Sequence, residues 1–237
     1  MYQFEDRISY SEINEKGQLN IPGVINYFQD VTLFHSHDVG KSLDYLRDTH
    51  RAWLLSSWHV IFNRFPKMAE RVTVSTWPYQ FKAIYGSRNY TLKTTAGELL
   101  AYGEANWFLF DSEQGKPVKP EEVDLIGYEL EKKLDMAYKS RKVNYPDTIT
   151  FVEKIMAHPN QTDTNHHVNN GEYVRISCDY LERGFEASEL RVEYRKAAHE
   201  GDEIFVYTAD TEHCFYVLLA DKDKNPYTIS EFTKCLE

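Results

Sequence analysis

The chain has 237 residues, 42% hydrophobic and 14% aromatic, enough for a substantial core and between one large domain and two ordinary ones in length. Its charge of 27 − 37 = −10 repels phosphate on average and argues against nucleic-acid or membrane-surface binding. No apolar stretch reaches the ~18 residues of a membrane helix, Glu5, Asp6 and Arg7 sit in the first ten residues, and three cysteines without CxxC spacing suit a reducing compartment, so a cytoplasmic protein without signal peptide or membrane span is expected.

Residues 2–11 alternate and carry aromatic and β-branched side chains, which predicts a strand, and Glu15-Lys16-Gly17 supplies a turn. A helix follows, with Asn20 placed to cap it and Pro22 in its first turn. Val24, Tyr27, Phe28, Val31, Phe34 and His35 recur at three- and four-residue spacing, so one face is buried. Gly40 is placed to end this helix, and residues 41–50 read as a short lid. Strands are predicted at 52–64, 71–77, 83–94 and 99–111, the last two joined by a hairpin turn at Thr95-Ala96-Gly97-Glu98. A helix followed by consecutive antiparallel strands is an α+β pattern.

Residues 112–146 differ: Pro117, Pro120 and Pro146 and many charges frame a weak helical patch at 128–138, and the segment reads as a linker. The first pattern then runs again, with a strand at Ile149-Thr150-Phe151-Val152, a polar turn and a helix over 169–183. Leu19 matches Val168 and Ile25 matches Val174 at a spacing of about 149, while Trp58 matches Leu190 and Val72 matches Ile204 at about 132. The drop of roughly 17 places an extra lid in the first half. A helix wrapped by an antiparallel sheet, present twice, describes a tandem double hotdog: residues 1–111 and 147–237 as domains, 112–146 as linker. Fold alone does not give function.

The most informative stretch is Gln161-Thr162-Asp163-Thr164-Asn165-His166-His167-Val168-Asn169-Asn170-Gly171. Asp163, Asn165 and His167 alternate, so an extended segment would project all three to one side, just ahead of a helix N-terminus that favours a developing oxyanion. Asn165 could then donate to a carbonyl oxygen, His167 could serve as general base on water, and Asp163 could orient the imidazole. The plainer reading of Asp163, Thr164 and Asn169 is as turn and cap residues. His158, His166 and His167, like His35 and His37, lack the spacing of a ligand set, so neither metal nor cofactor is expected. Cys178, in the body of the second helix, reads as a packed thiol.

Asp163-Thr164-Asn165-His166-His167-Val168-Asn169-Asn170 resembles the D-x-N-x-H-V-N-N motif of the acyl-acyl-carrier-protein thioesterases, plant plastid and bacterial, and Val192-Glu193-Tyr194-Arg195-Lys196 resembles their L-E-Y-R-R strand. Phe28-Gln29-Asp30, Ala52-Trp53-Leu54-Leu55-Ser56, Arg64-Phe65-Pro66 and Val74-Ser75-Thr76-Trp77-Pro78 extend the resemblance over nearly the whole chain. It implies hydrolysis of fatty acyl thioesters on an acyl carrier protein. The first domain would hold the acyl chain and the second would supply Asp163, Asn165 and His167 as catalytic residues. One departure stands out: plant members place a glutamate where this chain has Ala197, and Glu193 and Glu200 are the nearby carboxylates. Docking of an acidic carrier protein calls for a local basic face, with Arg141, Lys142, Arg191, Arg195 and Lys196 as candidates. The rival readings are an acyl-CoA thioesterase and an acyl-binding protein without catalysis. A homodimer is open to the chain, although duplication can supply internally the pairing that single hotdogs obtain by dimerising.

Overall fold

In the computed structural model, which describes residues 1–235, the chain divides into two units, one of Met1–Ser56 with Asn63–Tyr138, the other of Ser57–Phe62 with Lys139 onward. The first unit begins with β1 (Tyr2–Arg7), and α1 (Ile21–Asp38) follows a turn. The Asn20 side chain caps α1 by accepting from the Gly23 N–H at 2.7 Å, and the missing N–H of Pro22 falls in the first turn, where it costs nothing. Most of the predicted stripe faces inward: Val24, Phe28 and Val31 are completely buried and Tyr27 nearly so, and Ile25, outside the stripe, is completely buried with them. Each such side chain contributes about 1.5–3 kcal/mol by leaving water. Phe34, assigned to the same stripe, is instead exposed. The helix ends where Gly40 takes φ +80°, a backbone conformation open to glycine.

A short helix, α2 (Leu43–Asp48), capped by Ser42, fills the predicted lid. Four long strands follow: β2 (Arg51–Phe62), β3 (Arg71–Lys82), β4 (Tyr85–Thr94) and β5 (Leu99–Asp111). Strands β1, β3, β4 and β5 lie side by side in that order, all antiparallel, and α1 packs on β1, β3 and β4. After β6 (Lys116–Pro117), paired with β5, and the single turn α3 (Glu122–Leu125), residues 128–138 are irregular instead of helical. Their polar groups bond across to the sheet: Leu134 N–H donates to Asn89 Oδ1 (3.0 Å), Glu131 N–H to the Pro78 carbonyl (3.0 Å), and Trp77 Nε1–H to the Lys132 carbonyl (2.9 Å).

The second unit contains β7 (Thr150–Met156), α4 (Asn170–Cys178), β8 (Ala187–Tyr194), β9 (Glu203–Asp210), β10 (Cys214–Ala220) and β11 (Pro226–Lys234). Its sheet runs β8-β11-β10-β9-β7, antiparallel throughout, with Ser57–Ile61 pairing to β8 on the outer side. Helix α4 packs on β10 and β11 and is only nine residues long. It stops at Cys178, short of the predicted Arg183, because the chain turns out through Asp179 and Tyr180 to Gly184 at φ +84°. Each unit is thus an antiparallel sheet with a helix on one face, the hotdog pattern of an α+β fold.

The two units repeat each other bond for bond around the start of the helix. Asn14 Oδ1 accepts from the N–H groups of Lys16 and Gln18 (2.9 and 3.1 Å); Asp163 Oδ1 accepts from those of Asn165 and His167 (2.7 and 3.3 Å). Gly17 and His166 both have positive φ, +70° and +60°. Leu19 N–H donates to the Pro66 carbonyl (2.8 Å) and Val168 N–H to that of Ala198 (2.9 Å). The residues before the helix keep the spacing of about 149 and those after it the spacing of about 132, as duplication with one insertion requires.

In the second unit, Glu189 on β8 gathers two basic partners while its side chain is 14% exposed. Lys139 Nζ donates to Oε2 at 2.8 Å and lies 2.6 Å from Oε1, and His59 Nε2 lies 2.9 Å from Oε1. Burial alone would raise the Glu189 pKa, but His59 and Lys139 outweigh it and hold the carboxyl at about 2. A depressed carboxylate pKa stabilises the fold above the unfolded value near 4.5, and that stability is lost as pH falls toward 2. Glu189→Gln should cost roughly 2–4 kcal/mol at pH 7, with the gap to wild type closing between pH 5 and 2 in urea titrations. A pH-independent gap would assign the effect to packing.

Candidate active site

Residues 161–171 do not run extended. Asp163 N–H donates to the His167 carbonyl (2.8 Å) and His166 N–H to that of Asp163 (3.0 Å), which folds residues 163–167 into a closed turn. Alternation therefore does not group Asp163, Asn165 and His167; the turn does. His166 occupies its left-handed position, a conformation that costs a non-glycine residue roughly 1–2 kcal/mol. The Asp163 carboxylate supports it by taking two backbone N–H groups on Oδ1. Asp163 thus acts on His167 through the backbone and through its charge.

Asn165 is exposed on this turn, and among the described residues no side-chain hydrogen bond holds its amide. His167 is half-buried. Burial lowers its pKa below 6.5, the neighbouring His199 and His166 lower it further, and the Asp163 charge opposes them. The net effect favours the neutral imidazole, the form that accepts a proton. At the start of α4, Asn169 accepts from the Gly171 N–H (2.9 Å), so the helix is capped immediately beyond the turn.

The residue the sequence reading missed is His199. Its ring meets that of His167 at a centroid distance of 4.6 Å and an interplanar angle of 72°, and a single antiparallel bridge joins the two backbones. The signal for it was the repeat: His199 stands about 132 positions beyond Lys67, which bridges Gln18 in the first unit. Ala197 lies exposed in the same loop. Of the two nearby carboxylates, Glu193 is engaged by Arg195 (2.8 and 3.2 Å) and by the Val143 N–H (2.9 Å), so it is committed to the loop's own structure. Burial pushes the Cys178 thiol well up, which leaves little nucleophilic thiolate. The buried Arg88 donates to His35 Nδ1 (2.5 Å), which engages that ring nitrogen within the first unit.

The first unit holds a cavity of about 310 Å³, open to solvent on one side and lined chiefly by apolar side chains that include Leu33, Phe34, Leu43, Leu46, Trp53 and Trp107. The α2 segment, which the second unit lacks, supplies Leu43 and Leu46. An apolar cavity of this kind suits an aliphatic ligand.

Two family models match the chain: the acyl-ACP thioesterase N-terminal domain over residues 1–125 and the C-terminal domain over residues 145–231. Two chloroplastic acyl-acyl-carrier-protein hydrolases of Cuphea viscosissima are 25% identical over 181 residues (69% of this chain, 43% of the relative) and 22% identical over 209 (78% and 48%). The chain thus spans about half the length of the curated relatives it matches. An acyl-ACP thioesterase structure from Bacteroides thetaiotaomicron superimposes with a TM-score of 0.87 at 19% identity, covering 98% of this chain and 97% of that one. The 12:0-ACP thioesterase of Umbellularia californica gives 0.82 at 20%, covering 100% and 97%. At these identities the structures establish the fold, and the family models, one for each half, establish the lineage: the chain belongs to the acyl-ACP thioesterase family.

Proposed function

We propose that this chain hydrolyses fatty acyl thioesters carried on acyl carrier protein, with His167 as general base, Asn165 as oxyanion donor and Asp163 as the brace of the turn that presents both. The observation that supports the reading is that turn, which carries within five residues a half-buried imidazole with a lowered pKa and an exposed amide held by no side-chain hydrogen bond among the described residues. Neutral His167 takes a proton from water, the hydroxide oxygen bonds to the thioester carbonyl carbon, and the Asn165 amide donates to the oxygen as it gains charge. The C–S bond then breaks, and the proton on His167 passes to the leaving sulfur, giving a free fatty acid and a carrier thiol. No other cofactor enters this scheme.

In this reading the cavity of the first unit takes the acyl chain, and residues 147–237 supply the chemistry, with 112–146 as the connection. The partner is an acyl carrier protein. The basic candidates for docking it are largely spent: Arg191 is paired with Glu231 (2.9 Å), Arg195 with Glu193, and Lys196 with Asp221 (2.9 Å). Among the described residues no helix is long and apolar enough to cross a membrane. The free thiols of Cys178, Cys214 and Cys235 fit a cytoplasmic setting. Any homodimer is an association of the finished double unit, to be read by sedimentation.

Steady-state hydrolysis of a chain-length series of acyl-acyl-carrier-protein thioesters tests the reading. His167→Ala, checked for folding, should lose about 10²-fold or more in turnover, and Asn165→Ala about 10²–10³-fold. Binding of acyl ligands without wild-type turnover would favour the binding-protein alternative, and faster turnover of matched acyl-CoA the other.

The pH dependence follows from His167. Because burial and the neighbouring imidazoles lower its pKa, the acid limb of the kcat profile should lie below that of an ordinary imidazole, with kcat falling as pH drops through it. Asp163→Asn keeps the backbone acceptor, as Asn14 does at the equivalent place, so the turn should survive. Removing the charge should move the acid limb of the kcat profile to lower pH. A limb that stays in place would mean that the Asp163 charge does not reach the base.

A further inference from the structure

The Asp163 carboxylate is occupied by two backbone N–H groups through Oδ1, so it fixes the turn without gripping the imidazole. The ring of a general base nevertheless needs a fixed orientation, because a misplacement of about 1 Å can cost 10²-fold in rate. What faces that ring is the His199 ring, edge-to-face at 4.6 Å and 72°.

Both rings stand on backbones that cannot drift apart. His167 and His199 form an antiparallel bridge, and Val168 N–H donates to the Ala198 carbonyl (2.9 Å). On the far side, Ala198 N–H donates to Tyr173 Oη of α4 (2.7 Å), and His199 N–H to Asp202 Oδ2 (2.9 Å). The first unit provides an internal control. There the same bridge joins Gln18 to Lys67 and the same bond joins Leu19 to Pro66, yet no ring pair stands on it. The scaffold therefore does not demand aromatic partners, and the pair occurs in the copy that carries the candidate base.

We propose that His199 is a positioning residue for His167, holding the imidazole edge-to-face in a single orientation on the braced turn. The proposal rests on the hydrolase reading above and adds a residue to it. The ionisable groups facing His167 are Asp163 and His166 from its own turn and His199 from the opposite loop, with Asp202 behind His199. Of these, His199 and His166 disfavour a second positive charge and Asp163 favours one. His199 therefore has two separable effects: it orients the ring, and it keeps the ring neutral at lower pH.

Two variants separate them, His199→Ala, which removes ring and charge, and His199→Phe, which keeps a ring without charge. The readouts are kcat and KM on the acyl-carrier-protein thioester turned over fastest by wild type, and the His167 titration midpoint from ring NMR signals. For His199→Ala we expect kcat to fall roughly 10-fold or more with KM unchanged, and the His167 midpoint to move to higher pH. His199→Phe should recover kcat on the alkaline plateau while leaving the midpoint raised. A folded His199→Ala protein with wild-type kcat and midpoint overturns the proposal and leaves the hydrolase reading intact, as does a folded Phe variant that recovers nothing. A wild type without turnover on any thioester overturns the hydrolase reading itself, and with it the catalytic meaning of the pair.

Discussion

One oxygen atom organises the candidate site. Oδ1 of Asp163 receives the N–H groups of Asn165 and His167, and with the two backbone bonds that close residues 163–167 it holds His166 in a left-handed conformation. One of these donors is exposed and the other part-buried, so each bond contributes about 0.5–1.5 kcal/mol, in competition with water. The turn fixes the backbone of residues 163–167 just ahead of α4, so the arrangement of the candidate residues rests on a short-range interaction. The same device occurs at Asn14, whose Oδ1 accepts from the N–H groups of Lys16 and Gln18.

Most of the architecture could be read from the residues, because its signals are periodic or local. The three- and four-residue spacing in α1, the Asn20 cap, the Gly97 hairpin and the strand runs each have a short-range cause. Residues 128–138 could not be read this way. Their N–H and C=O groups bond to Asn89, Pro78 and Trp77, partners more than forty residues away, and no local pattern announces that choice. Helix α4 was overextended for a related reason: its apolar residues continue past Cys178, but the turn at Asp179–Gly184 takes over.

For the site, the residues were legible and their geometry was not. Period-two reasoning placed Asp163, Asn165 and His167 together by assuming an extended chain, and the left-handed His166 breaks that assumption. The plainer reading of Asp163 as a turn residue describes its hydrogen bonds. His199 escaped because its approach to His167 is made by a bridge between segments 32 positions apart by numbering. Only the repeat, through Gln18 and Lys67, pointed there.

Among the described residues, α2 stands in the first unit, while the braced turn, present in both, carries a pair of imidazoles in the second. After a duplication, that separation changes what selection can do. The cavity lining that includes Leu43, Leu46 and Trp53 shares no residue with the hydrogen bonds of the Asp163 turn. A substitution in one set of residues therefore leaves the composition of the other untouched, and each can vary in sequence by itself.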